Sequence, residues 1–307
     1  MSLLQVDALT RRFGGLCAVD DVSFAIEPGQ VSAIIGPNGA GKTTLFNLVS
    51  GFLAPDSGRI HFDGSDITAH APHLIAARGI VRTFQLVQLF PDLTAHQNVE
   101  AGCHLRGNGG VWAALARTGR ARRELDEAAE VARDLLSFVG LDARADVAAS
   151  ALPYGQQRLL EVARALAAAP KLLLLDEPAA GLNALETEHL AGVIRAIIGR
   201  GVTVLLIEHD MHFVMNLAAH IVVLDFGRKI AQGSPQQVQN DPAVLEAYLG
   251  GVEAGSVDAG GTGARDGGAG ARDGGAGARD GGAGARDGGA GARDGGAGAR
   301  GAEAAHA

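Results

Sequence analysis

Cysteine is almost missing from these 307 residues: the two present, Cys17 and Cys103, lie far apart and form no CxxC pair. That argues against a disulfide framework, and a reducing cytosol is the simplest setting. Long apolar runs are missing too. Although 47% of the chain is hydrophobic, much of that fraction is alanine, and no stretch approaches the roughly 20 apolar residues needed to span a bilayer. The start, Met1-Ser2-Leu3-Leu4-Gln5, has no basic region followed by an apolar run, so no signal peptide is expected. Nor is there an excess of positive charge. A net charge of −8 disfavours sequence-independent nucleic-acid binding, and no nucleic-acid partner is expected.

What is present begins with glycine in one place. Gly36-Pro37-Asn38-Gly39-Ala40-Gly41-Lys42-Thr43-Thr44 follows the β-type run Val31–Ile35 and precedes the helical pattern Leu45–Val49. Strand, glycine-rich loop and helix in that order are the context of a phosphate-binding P-loop. Glycines let successive N–H groups converge on one anion, and the helix adds the positive end of its dipole. Lys42 is expected to reach the β- and γ-phosphates, and Thr43 to place its hydroxyl on Mg²⁺.

A second stretch completes that chemistry. Leu172–Leu175 is an apolar run ending in Asp176-Glu177-Pro178. With Asp176 at the C-terminal end of a strand beside the P-loop, it would hold Mg²⁺, and Glu177 would polarise an attacking water.

The rest of the chain reads as strands with turns to about residue 64, a helical part from about 91 to 169, and strands again at Leu172–Leu175, Val202–Ile207 and Ile221–Leu224. One parallel-sheet α/β core with an antiparallel β subdomain and a helical subdomain is expected. In 123–140, Leu125, Ala128, Ala129, Ala132, Leu135, Leu136 and Val139 form one stripe, with Gly140 as the C-terminal cap. A loop is expected around Gly107–Gly110. Asp225-Phe226-Gly227 reads as a hairpin turn between two strands, although it copies a kinase triplet. His209 and His212 have no third ligand nearby, so no metal site is expected there. From 251 to 307 the chain changes character. Gly-Ala-Arg-Asp-Gly-Gly-Ala repeats five times from Gly263 to Ala297 with nothing bulky to bury, and a disordered tail is expected after a domain over 1–250.

The motifs together resemble the nucleotide-binding subunit of an ABC transporter. Thr83-Phe84-Gln85 resembles the Q-loop, Leu152-Pro153-Tyr154-Gly155-Gln156-Gln157 the signature loop opening a helix at Arg158, Ala180-Gly181-Leu182-Asn183 the D-loop, and Glu208-His209-Asp210 the switch histidine. The resemblance implies ATP and Mg²⁺ as cofactors. It implies that Gln85 contacts Mg²⁺ and the attacking water, that His209 bonds the γ-phosphate, and that Phe13 stacks on adenine. It also implies that Tyr154, Gly155, Gln156 and Gln157 serve the nucleotide of a partner ATPase. Two positions depart from the family's usual residues: Pro153 stands where serine is common, and Asn183 where aspartate is.

Arg82–Gln85, Leu89–Thr94, Tyr154, Asp176–Asn183, Ile207–Met211 and Ala247–Gly250 narrow the likeness to LivG-type ATPases of branched-chain amino-acid importers. That implies a sister ATPase, two transmembrane permease subunits that the segment Gln85–Phe90 faces, and an extracytoplasmic binding protein. The place implied is the cytoplasmic face of the inner membrane. Relatives that energise uptake of amides, urea or aromatic acids keep another small solute open as the substrate, and a soluble ABC ATPase is the reading from a different class.

Overall fold

The structure, a computed structural model, describes residues 2–105 and 119–253. The loop expected around Gly107–Gly110 and the repeat region lie outside the described residues.

Five-residue runs set the centre. β3 (Val31–Ile35), β7 (Leu172–Asp176) and β8 (Thr203–Ile207) are buried at every position, which only a strand covered on both faces permits. They join β6 (Ile80–Arg82), β9 (His220–Asp225) and β10 (Arg228–Gly233) in a sheet of order β10-β9-β3-β8-β7-β6. All neighbours are parallel except the β9–β10 hairpin. Alternation along these strands splits the core in two. Ala33, Ile35, Leu173 and Leu175 face one hydrophobic cluster, while Ile34, Leu172 and Leu174 face the other. Each of these leucines is fully buried, so truncating one to alanine costs about 2–5 kcal/mol.

One face carries α1 (Lys42–Val49) and the second sheet. That sheet is antiparallel, of order β2-β1-β4-β5, from β1 (Leu4–Phe13), β2 (Leu16–Ile26), β4 (Ser57–Phe62) and β5 (Ser65–Asp66). The short helix α2 (Pro72–Ala77) precedes β6. The other face carries α3 (Ala95–Gly102), α4 (Gly119–Phe138), α5 (Tyr154–Ala167), α6 (Ala184–Gly199) and α7 (Met211–Leu217). Helices α8 (Pro235–Gln239) and α9 (Pro242–Glu253) follow the last strand.

Two expectations need correcting. Leu125 stands 70% exposed, and full burial on α4 begins at Ala132, about two turns later. The apolar stripe is therefore fully buried only over its C-terminal half, where Gly140 at φ +76 reverses the chain and the N–H of Leu141 bonds the carbonyl of Leu136. The signature helix starts at Tyr154, not Arg158. Pro153, at φ −55 and ψ 151, occupies the cap position, and its carbonyl accepts from the N–H of Gln157. Proline's fixed φ starts the helix there, which places Tyr154, Gly155, Gln156 and Gln157 in its first turn.

Candidate nucleotide site

The loop between β3 and α1 has the shape its glycines dictate. A Cβ at Gly36, φ +154, would lie 2.1 Å from the carbonyl oxygen of Leu224, and one at Gly41, φ +96, would lie 2.2 Å from that of Ala18. Only glycine fits either place. Helix α1 has no side-chain cap, so its first N–H groups are left to a ligand. Lys42 is buried and donates Nζ to the carbonyls of Gly36 (2.7 Å) and Pro37 (2.9 Å). Burial holds its pKa below the usual lysine value, and the carboxylate of Glu177 opposes that shift.

A cavity of about 440 Å³ opens over this loop. Asn38, Gly39, Ala40, Gly41, Lys42, Thr43 and Thr44 line its floor, and Phe13, at the end of β1, and Glu177 line its walls. Gly36 and Pro37 stand behind, holding Lys42 by their carbonyls. The cavity also takes Leu16, Cys17 and Ala18 from β2 and Phe226 from the β9–β10 turn, none of which sequence reasoning had assigned to the site. Phe13 is half exposed, and the guanidinium of Arg11 sits 5.0 Å from its ring centre.

The catalytic candidates converge at the ends of β7 and β8. Glu177, at φ +46, has its N–H bonded to the carbonyl of Ile207 and its Oε2 accepting from Gln85 Nε2 at 3.0 Å. His209 Nδ1 lies 3.8 Å from the same oxygen. Behind it, Glu208 is fully buried and accepts from the N–H groups of Ala179 and His209. Burial raises the pKa of Glu208.

Asp176 is buried beside them, and Arg82 Nη2 bonds its Oδ2 at 2.7 Å. Arg82 also reaches Asn47 of the P-loop helix and Ser50, its C-cap. No motif reading had singled it out for a role. A hard cation such as Mg²⁺ fits the donors present, since all are oxygens: the Thr43 hydroxyl, the Gln85 amide oxygen and the free oxygen of Asp176.

The Q-loop is tied to α5 by a buried ion pair. Arg158 Nη1 donates to the carbonyl of Phe84 at 2.9 Å and Nη2 to that of Gln85, while Glu161 Oε1 accepts from the N–H groups of Phe84 and Gln88. Burial raises the pKa of Glu161, the largest of several influences on it. Neither residue could be assigned this task from sequence, because their targets lie more than seventy positions away.

Tyr154, Gly155, Gln156 and Gln157 do not line this cavity. A Cβ at Gly155 would crowd Glu186, and one at Gly181 of the D-loop would lie 3.1 Å from the Tyr154 ring. Asn183 is the N-cap of α6, its N–H donating to Glu186 Oε2 and its Oδ1 accepting from the N–H of Glu186, both at 3.0 Å. Asn is as good a cap as the aspartate it replaces.

The pattern of the family described as "ABC transporter" matches residues 19–180. The chain belongs to the ABC transporter ATPase family. A second pattern, described as "Branched-chain amino acid ATP-binding cassette transporter", matches residues 228–254. Among relatives, the branched-chain amino-acid transport ATP-binding protein BraF of Pseudomonas aeruginosa is 47% identical over 249 residues, 81% of this chain and 98% of its own. LivG of Escherichia coli K12 is 43% identical over the same shares. Of the solved structures, the ADP conformation of MJ1267, an ATP-binding cassette of an ABC transporter, superposes with a TM-score of 0.72 at 35% identity, covering 81% of this chain and 99% of that one. A nucleotide-free cassette gives 0.71 at 34% identity. The fold is that of the ABC ATPases, and an ABC ATPase domain implies nucleotide binding.

Proposed function

We propose that the chain is the ATP-hydrolysing subunit of an importer for branched-chain amino acids. The observation that carries the chemistry is the single cavity shared by Phe13, the P-loop and Glu177, with Gln85 and His209 bonded or adjacent to that glutamate. Phe13 offers a face for the adenine base. The loop N–H groups and Lys42 hold the phosphates, for which Lys42 exchanges its present bonds to two carbonyls. Glu177 orients and polarises the water that attacks the γ-phosphorus, with Gln85 and His209 steering it; water and ATP give ADP and phosphate. Mg²⁺, when bound, neutralises phosphate charge, and Thr43, Gln85 and Asp176 are the residues that would hold it.

The substrate class rests on the relatives. BraF and LivG carry that transport in their names, and the C-terminal pattern matches the corresponding family. In the complex this chain pairs with a sister ATPase under two permease subunits at the cytoplasmic face of the membrane, fed by an extracytoplasmic binding protein. Tyr154, Gly155, Gln156 and Gln157 serve the sister's nucleotide, in keeping with their place outside this chain's own cavity. Leu86 and Phe90, 78% and 50% exposed beside Gln85, supply an apolar contact for a permease. No helix among the described residues is long and apolar enough to cross a membrane.

Affinity purification of the tagged chain from detergent-solubilised membranes tests this assembly. A second ATPase and two polytopic permeases are the expected companions. Recovery of ribosomal or DNA-associated proteins without membrane partners would contradict it.

A further inference from the structure

Phe226 is the most exposed large apolar residue among those described, at 86%. It also breaks the local rule for its position. The β9–β10 hairpin pairs Asp225 with Arg228 across a two-residue turn, and both turn residues have positive φ, Phe226 at 42° and Gly227 at 81°. Turns of that kind favour Asn-Gly or Asp-Gly, and a bulky aromatic at positive φ is strained. A costly residue whose ring is left in solvent calls for something the ring touches.

The turn is fastened over the P-loop. The N–H of Gly227 bonds the carbonyl of Ala40 at 3.0 Å, and the carbonyl of Gly227 accepts from the N–H of Asp20 at 2.8 Å. Arg228 adds an ion pair to Asp20. A Cβ at Gly227 would meet the carbonyl oxygen of Ala18 at 2.9 Å. The backbone under Phe226 is therefore fixed relative to the loop that takes the phosphates, and its ring lines the same cavity as Phe13.

We propose that Phe226 is a second contact for the nucleotide base, closing the adenine end of the cavity together with Phe13 and setting its preference for a nucleotide over a bare polyphosphate. The assignment rests on the cavity being the ATP site. Aromatic rings hold bases by stacking, a contact that is lost when the ring is removed.

The test uses the full chain and isothermal titration with ATP and with inorganic triphosphate, each with Mg²⁺. Phe226→Asn removes the ring while suiting the turn, and Phe226→Tyr keeps it. The expected result is an ATP Kd raised about tenfold in F226N, a triphosphate Kd within about twofold of wild type, and ATP affinity retained in F226Y. Parallel weakening of both ligands, an ATP Kd that does not move, or no retention in F226Y would each overturn the proposal. If the wild type itself fails to bind ATP, the reading of the cavity falls and the role of Phe226 with it; a wild type that binds ATP, next to an unaffected F226N, sinks the role alone.

Discussion

Arg82 donates Nη2 to Asp176 Oδ2 at 2.7 Å, with both side chains only 6% exposed. The pair joins two adjacent strands at the point where β6 runs into the Q-loop and β7 into Glu177. Through Asn47 and Ser50 the same guanidinium also holds the P-loop helix, and it lies over the rings of Phe46, Phe52 and Phe84. One residue thus braces the three elements that carry the P-loop, the Asp176 carboxylate and the Q-loop.

Removing one partner of a buried pair leaves an uncompensated charge, at a cost of about 3–5 kcal/mol. Arg82→Leu is expected to lower the melting temperature by roughly 6–12 °C. Adding Asp176→Asn to it should restore part of that loss, because the unpaired charge is then gone. A thermal melt showing no change in R82L would disprove the brace.

Arg158 and Glu161 predict a kinetic effect. They hold the backbone of Phe84, Gln85 and Gln88, and Gln85 in turn bonds Glu177. Arg158→Met should lower kcat of ATP hydrolysis in the assembled transporter about tenfold or more while shifting KM little, since the base and phosphate contacts are untouched. A rise in KM at constant kcat would place Arg158 in nucleotide binding instead.

Lys42 gives a pH-dependent prediction. Its folded pKa is lowered by burial. Between that pKa and the unfolded value of 10.5 the folded chain therefore binds fewer protons than the unfolded one, so the destabilisation from burying the Lys42 ammonium is full below that window and is lost as pH rises through it. At neutral pH the buried ammonium therefore lowers stability. Lys42→Met should lose ATP binding, and the melting-temperature difference between it and the nucleotide-free wild type should move in the wild type's favour as pH rises toward 10.5. Equal melting curves for the two proteins at all pH values would refute this.

Pro153 caps α5 without any side-chain hydrogen bond. Pro153→Ser adds a capping hydroxyl worth about 0.5–2 kcal/mol and should stabilise the fold. The ATPase rate of the complex should change by less than about tenfold, because the N–H groups of the first turn are already in place. A larger increase in rate would show that proline holds turnover back.

The legible parts of this molecule are those written in consecutive residues. Gly36–Thr44 and Leu172–Glu177 carry their strand, loop and chemistry within a few positions, and Asp225-Phe226-Gly227 reads as the turn it is. What was hidden is held by partners far along the chain: 94 positions separate Arg82 from Asp176, and 74 separate Arg158 from Phe84. Periodicity on α4 places Leu125 on the apolar stripe, but a stripe shows which face is apolar, not how far along the helix a neighbour covers it. Phe226 was visible as a turn residue, yet its place over the P-loop follows only from β9 lying next to β3.

If hydrolysis on this chain drives amino-acid import, transport in proteoliposomes will show it. The wild-type complex with its binding protein and ATP should accumulate labelled leucine, whereas the same complex carrying Glu177→Gln should bind ATP, lose nearly all hydrolysis and import nothing. Sustained leucine uptake by the E177Q complex, or ATP hydrolysis by the wild type with no branched-chain amino acid moved, would contradict it.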